Sequence, residues 1–166
     1  TGQYNTAVGT NAIATDCGSN NTGIGYAALT AFTGSNATAV GSGAAGAATS
    51  AVGLTAVGGG ALGSLTTGSS NTSVGYYSSF KVTTGSYNTA VGLAAGQENL
   101  TGTHNTFMGR YAGIYASIND HCVAIGSSAM SGVAGSAVLS CVKNGTTTIT
   151  CPSSSVIATS QHVRGA

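Results

Sequence analysis

Charge is almost missing from this chain. Among its 166 residues only Asp16, Lys81, Glu98, Arg110, Asp120, Lys143 and Arg164 carry a formal charge, 4 % where a soluble domain usually has about 25 %. Repulsion between molecules cannot keep such a surface dispersed, so sister chains or a larger assembly are expected to cover much of it. The net charge of +1 excludes the basic patch that nucleic acid calls for and any binding driven by anionic lipid. Trp is absent and Pro occurs once. The apolar stretches are broken every few residues by Gly, Ser or Thr, so no transmembrane helix or membrane insertion is expected. The cysteines Cys17, Cys122, Cys141 and Cys151 lack the CxxC spacing of zinc and redox sites, and no cofactor is implied. The chain begins at Thr1 without Met and is read as a processed product or a fragment of something longer.

What is abundant is Gly, with 27 residues, together with Ala, Thr and Ser, and it is arranged periodically. Gly9, Gly25, Gly41, Gly58, Gly75, Gly92, Gly109 and Gly126 recur every 16 to 17 residues and anchor eight units, numbered here 1 to 8. The third residue after each anchor confirms the register independently: Ala12, Ala28, Ala44, Ala61, Ser78, Ala95, Ala112 and Ala129. The residue before each anchor is always apolar, and two positions earlier stands Thr in every unit but the last, where it is Val123. Strand side chains alternate with period two, so these two columns share one face and the Ala7, Ala39, Ala56, Ala90 column points the other way. The Thr column is expected to look inward, with the small-residue face open to close approach by another layer.

A second glycine column (Gly2, Gly18, Gly34, Gly68, Gly85, Gly102) marks one turn of each unit, and the anchors mark the other, in a backbone conformation that a Cβ would resist. Two turns and two short strands in 16 to 17 residues fit one coil of a narrow parallel β-solenoid; glycine density and period two exclude helix. The fold class is therefore all-β, about eight coils over residues 1–139, with stacking of like residues that makes Asn5, Asn21, Asn71, Asn88 and Asn105 an amide ladder. Around Gly58 the Asn is replaced by Leu54, and Ser50 to Gly53 offers a competing anchor; Gly58 preserves the spacing, with a local bulge expected. Residues 140–166 leave the repeat. Cys141 and Cys151 flank the turn dipeptide Asn144-Gly145 in a β-hairpin that caps the last coil, either bridged or as two buried thiols, before a tail.

The units Tyr4-Asn5-Thr6-Ala7-Val8-Gly9, Asn88-Thr89-Ala90-Val91-Gly92 and Val123-Ala124-Ile125-Gly126 resemble the head repeats of trimeric autotransporter adhesins and the related repeats of phage and algal-virus tail-fibre-like proteins. The resemblance covers residues 1 to 139. It implies a left-handed parallel β-roll, association of three chains around a common axis, and a role in surface display or attachment. The coil is longer than the adhesins' and prefers Thr to Val in the strand, which favours the fibre-like relatives. A coil this narrow encloses only a thin core, and bundling adds burial.

Chemistry-bearing residues are few. His104 and His121 share a column one coil apart, a conceivable metal pair without an acidic partner on its own face, and stacked structural imidazoles are the plainer reading. Runs such as Gly58-Gly59-Gly60 lack the strand, helix and Lys context of phosphate loops. Sequons stand at Asn20, Asn36, Asn71, Asn99 and Asn144, with Asn99 and Asn144 the better acceptors near turns. Tyr26, Tyr76, Tyr77, Arg110 and Tyr111 follow anchor glycines and form a candidate strip for a carbohydrate or receptor, or for contacts between subunits. The three carboxylates Asp16, Glu98 and Asp120 fall in different coils, against a polysaccharide-degrading solenoid. The expectation is a non-enzymatic structural or adhesive module of a viral or phage fibre, spike or tail, on a virion or cell surface, homotrimeric and joined to other virion or surface proteins. A bacterial surface adhesin head and an ice-binding β-solenoid are the alternatives.

Overall fold

The computed structural model describes residues 2–116 and 120–131. Its eight strands, β1 (Thr6–Val8), β2 (Thr22–Ile24), β3 (Thr38–Val40), β4 (Thr55–Val57), β5 (Thr72–Val74), β6 (Thr89–Val91), β7 (Thr106–Met108) and β8 (Val123–Ile125), pair in sequence order as one parallel sheet. The chain makes about seven turns of an all-β solenoid, and the described residues contain no helix long and apolar enough to cross a membrane. Thr stands beside Thr and Val beside Val: Thr38 pairs with Thr55 and Val40 with Val57, so Gly58 is the true anchor of coil 4 and the sheet passes Leu54 without a break. Coils of 17 residues carry their extra residue at an exposed corner (Ser50, Thr67, Thr84, Thr101), where it disturbs neither sheet nor core.

Two expectations are corrected. Each coil has one strand rather than two, because the opposite side is built of turns. In coil 4 the Ala61 N–H donates to Gly58, Gly63 to Gly60 and Leu65 to Leu62, three successive i→i+3 bonds. The third residue of the first two turns, Gly60 and Leu62, has φ of +66° and +53°, the left-handed geometry of a type II turn. Alternate amides point along the stack instead: Gly60 N–H reaches back to Ser42, and Leu62 and Ser64 reach forward to Ser78 and Phe80. A bulky L-residue such as Leu62 costs roughly 1–2 kcal/mol in that conformation, and its complete burial returns roughly 1.5–3 kcal/mol.

The second correction concerns the sheet's faces. Ala39, Ala56, Ala90 and Ala124 are fully buried, whereas the Thr and apolar columns look outward; Val8, Ile24, Met108 and Ile125 are 37–54 % exposed. The reason is width. Across a coil this thin only a small side chain fits between strand and turns, and larger ones are matched by glycine. Phe107 takes an inward position because Gly96 and Gly113 vacate the space; a Cβ on Gly96 would lie 2.6 Å from its ring. Gly23 makes the reverse concession to Ile13.

At the anchors φ lies between +118° and +137°, and a Cβ on Gly41 would stand 2.6 Å from the carbonyl carbon of Gly58. Both the conformation and the approach of the next coil demand glycine there. The buried asparagines make a ladder of a different kind from amide on amide. Oδ1 of Asn71, Asn88 and Asn105 accepts the backbone N–H of the next coil's equivalent residue at 2.8–3.0 Å. Nδ2 of Asn71 and Asn88 donates to the carbonyls of Gly85 and Gly102. Asn88 Nδ2 also donates to Asn71 Oδ1 at 3.2 Å, an amide-to-amide rung within the column. Ala37 and Leu54 interrupt the column with apolar burial. A parallel ladder of threonine hydroxyls runs along another corner, from Thr33, Thr49, Thr66 and Thr83 to the next coil's carbonyl.

The apolar core is not continuous. One cluster runs from Cys17 to Val82 and a second from Ala90 to Ala129, and coil 5 between them lines its interior with Ser73, Ser78 and Ser79. Ser78 Oγ donates to the Ala90 carbonyl at 3.0 Å, while Ser73 Oγ is buried without a hydrogen-bond partner. Two buried polar residues thus have opposite signs. Asn88→Ala leaves the Asn105 N–H unpaired and the Gly102 carbonyl with only the long bond from Asn99 Nδ2, and is expected to destabilise by about 1–3 kcal/mol, whereas Ser73→Ala removes an unpaired hydroxyl and stabilises by about 1 kcal/mol. Urea unfolding of both variants checks the pair; equal signs would refute the hydrogen-bond accounting.

Candidate functional site

The turn side of the stack is relieved at coils 3 and 4. One, two and five residues past the anchor stand Ser42, Gly43 and Gly46 in coil 3 and Gly59, Gly60 and Gly63 in coil 4. Coil 5 carries Tyr76, Tyr77 and Phe80 at the same positions, and coil 2 carries Tyr26, Ala27 and Thr30. Five glycines among six positions leave a groove of about 540 Å³ with a backbone floor and an aromatic wall, within the usual size range of ligand sites. The wall rings lean on the coil below: an added Cβ would come within 2.5 Å of Tyr77 at Gly60, 2.7 Å of Phe80 at Gly63 and 3.3 Å of Tyr76 at Gly59. Glycine therefore both opens the floor and seats the wall.

The rings form one patch. Tyr76 and Tyr77 have centroids 4.1 Å apart at 44°, and Tyr77 and Phe80 are 4.7 Å apart at 54°, tilted arrangements that aromatic quadrupoles favour. Hydrogen bonding with the Tyr77 hydroxyl raises the Tyr76 phenol above the ordinary tyrosine range, with desolvation adding to it. None of the lining residues is charged.

Of the residues singled out in the sequence, Tyr76 and Tyr77 meet in this wall. Arg110 lies over the Tyr111 ring at 4.3 Å, two coils further on, and Tyr26 stands exposed on coil 2. The five share the two columns just past the anchor, interrupted by Ser42 and Gly43, Gly59 and Gly60, and Leu93 and Ala94 in coils 3, 4 and 6. Phe80 and the floor glycines were missed, although Gly43, Gly46, Gly60 and Gly63 share two columns and their clustering in adjacent coils was the available signal. Asn99 is corrected as a glycan acceptor: it is 1 % exposed, accepts the Gly102 N–H at 3.0 Å and donates to the Gly102 carbonyl, so no oligosaccharide can be attached in the folded coil. Asn20 and Asn36 are the exposed sequon asparagines among the described residues. Cys141, Cys151 and Asn144 lie outside the described residues. Cys17 and Cys122 are buried thiols.

Tyr87, His104 and His121 stack as a ladder, with centroids 4.8 Å and 4.9 Å apart and the two imidazoles 1° from parallel. In-plane lone pairs on parallel rings cannot converge on one ion, so this stack is not a metal clamp. No group of three or more metal-ligating side chains occurs among the described residues. The neighbouring column of Ser19, Ser35, Ser69 and Ser86, each accepting an amide from the previous coil, ends in Asp120. Asp120 Oδ1 accepts from the Thr103 N–H at 2.6 Å and the Thr103 hydroxyl at 3.0 Å.

No protein-family model matches the chain, and no curated protein or solved structure matches it significantly.

The backbone N–H of Thr103, then its hydroxyl, hold the Asp120 carboxyl below the usual range, with a smaller contribution from His121 and His104. A carboxyl depressed in the folded state stabilises above its unfolded pKa and loses that contribution as pH falls through the folded value. Acidification below the ordinary carboxylate range is therefore expected to lower the hydrogen-exchange protection factor of the Thr103 amide, taken relative to its intrinsic rate at each pH. Asp120→Asn, measured by the same exchange experiment, should show no such step.

Proposed function

We propose that this chain is a structural and adhesive module of a viral or phage fibre, spike or tail, in which copies associate through the outward face of the sheet, three around a common axis. The observation that carries the reading is that face. Seven steps of about 4.8 Å lay eight Thr-x-Val-like strands side by side over about 34 Å, with an outward row of apolar side chains that is exposed at Val8, Ile24, Met108 and Ile125 and half-buried between them, and no charge among the strand residues. Monomeric proteins seldom leave a regular apolar strip of this kind bare, and a chain nearly without charge has little else to keep it from associating. Covering the strip adds the burial that a thin, alanine-lined core lacks. The repetition suits a spacer that holds an attachment surface at a distance, on a virion or on a bacterial cell.

The outward orientation of threonine also supports a second reading, an ice-binding solenoid, since a regular exposed Thr row is what such a face needs. The two readings part on measurement. Light scattering coupled to size exclusion should give a trimer that Val57→Lys with Val74→Lys converts to monomer, with unfolding otherwise little changed because both side chains are only half-buried. A wild-type monomer would sink the fibre reading. Thermal hysteresis of the purified protein is expected to be nil, and a clear freezing-point gap would favour the ice-binding alternative.

A further inference from the structure

We infer that the groove across coils 3 to 5 binds a neutral glycan, a sugar ring packing its C–H face on Tyr76 and Tyr77 above the glycine floor. The inference rests on the reading of the chain as a display module for the setting in which a glycan is met, but the groove's chemistry is argued from its own residues. Three features select the ligand class.

The first is charge. Every lining residue is neutral, which leaves an acidic or basic ligand without a counter-ion. The second is the floor. Four of its six amides are already used: Gly43 N–H donates to Tyr26 and Gly60 N–H to Ser42, while Gly46 and Gly63 donate to Gly43 and Gly60. An extended peptide, which adds to a sheet edge through unpaired backbone groups, finds none of these donors free. The third is the wall. Tyr76 and Tyr77 are 55 % and 37 % exposed, and their tilted rings give an apolar surface with a phenolic rim. A polyhydroxylated ring presents the matching combination of apolar face and hydroxyl edge, and tyrosine supplies both contacts with little side-chain entropy to lose. Ser42 adds a further hydroxyl. The groove lies past the anchor corner, on the turn side of the coil, so covering the outward sheet face leaves it open.

The test uses the whole chain and three neutral probes, maltohexaose, cellohexaose and mannohexaose. Calorimetry gives the affinity, and with no Trp in the sequence the part of any tyrosine-emission change that is lost in Tyr76→Ala reports on the wall. At least one hexaose is expected to bind saturably. Tyr76→Ala, which removes an exposed ring, should weaken it about tenfold or more, the scale of one aromatic contact. Gly43→Asn should do the same by filling the floor: a Cβ there meets nothing within 4 Å, and Asn11 holds the equivalent position of coil 1 at φ +58°, so the fold accepts it. Absence of saturable binding to all three probes overturns the assignment, as does binding that neither variant weakens. Dissociation of an oligomer by Tyr76→Ala would also overturn it, by making the groove a contact between copies. A monomeric wild type that binds a hexaose leaves the glycan site standing and removes only the fibre reading.

Discussion

Along the described coils each repeated position sits above its own equivalent, about 4.8 Å away along a parallel ladder, and that spacing governs the rest. Whatever occupies a column must tolerate contact with a copy of itself and with the next coil's backbone. Gly34 and Gly68 show the severity of the rule, since a Cβ on either would run into the carbonyl oxygen of Ala51 or Gly85. Asparagine, serine and threonine satisfy it differently, by turning the contact into a hydrogen bond to the neighbouring coil. Stability is then spread along the stack as a sum of like interfaces, which is why a chain with so small an apolar interior can hold a single architecture.

Much of this was legible because the rule writes itself into the sequence. Anchor glycines at a fixed interval, the alanine three residues later and the Thr-x-Val pattern yield coil number, strand position and parallel register. Period two alone could not say which face is inside. Both faces of Thr-Ala-Val are chemically mild, and the decision depends on coil width, a tertiary quantity: the alanines go in because the turns opposite leave no room for valine. The second strand was misplaced for a related reason. Residues such as Leu29 and Leu62 adopt φ of +54° and +53°, a conformation that propensity argues against and that only repeated packing of neighbouring coils sustains.

The groove was legible in its parts and illegible as a whole. Tyr76 and Tyr77 stand out as aromatics after an anchor, but a depression is made by what is missing from adjacent coils, and runs such as Gly58-Gly59-Gly60 read along the chain do not show it. Phe80 went unnoticed because five residues along the chain are not neighbours in a strand; in a run of left-handed turns its ring comes to 4.7 Å from Tyr77. Columns read across coils, rather than motifs read along the chain, are the unit in which this protein encodes a surface.

The serines inside coil 5 divide the molecule mechanically. The first apolar cluster reaches Val82 in coil 5 and the second begins at Ala90 in coil 6, and at the junction between them the strand ladder is joined by polar links, the Ser78 bond to Ala90, the Asn71–Asn88 rung and the Lys81–Glu98 ion pair. Outside, the Tyr76, Tyr77 and Phe80 rings clamp coil 5 to coil 4, on the near side of that junction. The two segments are thus joined by directional bonds and an ion pair rather than by shared apolar burial, and the aromatic wall belongs wholly to the first.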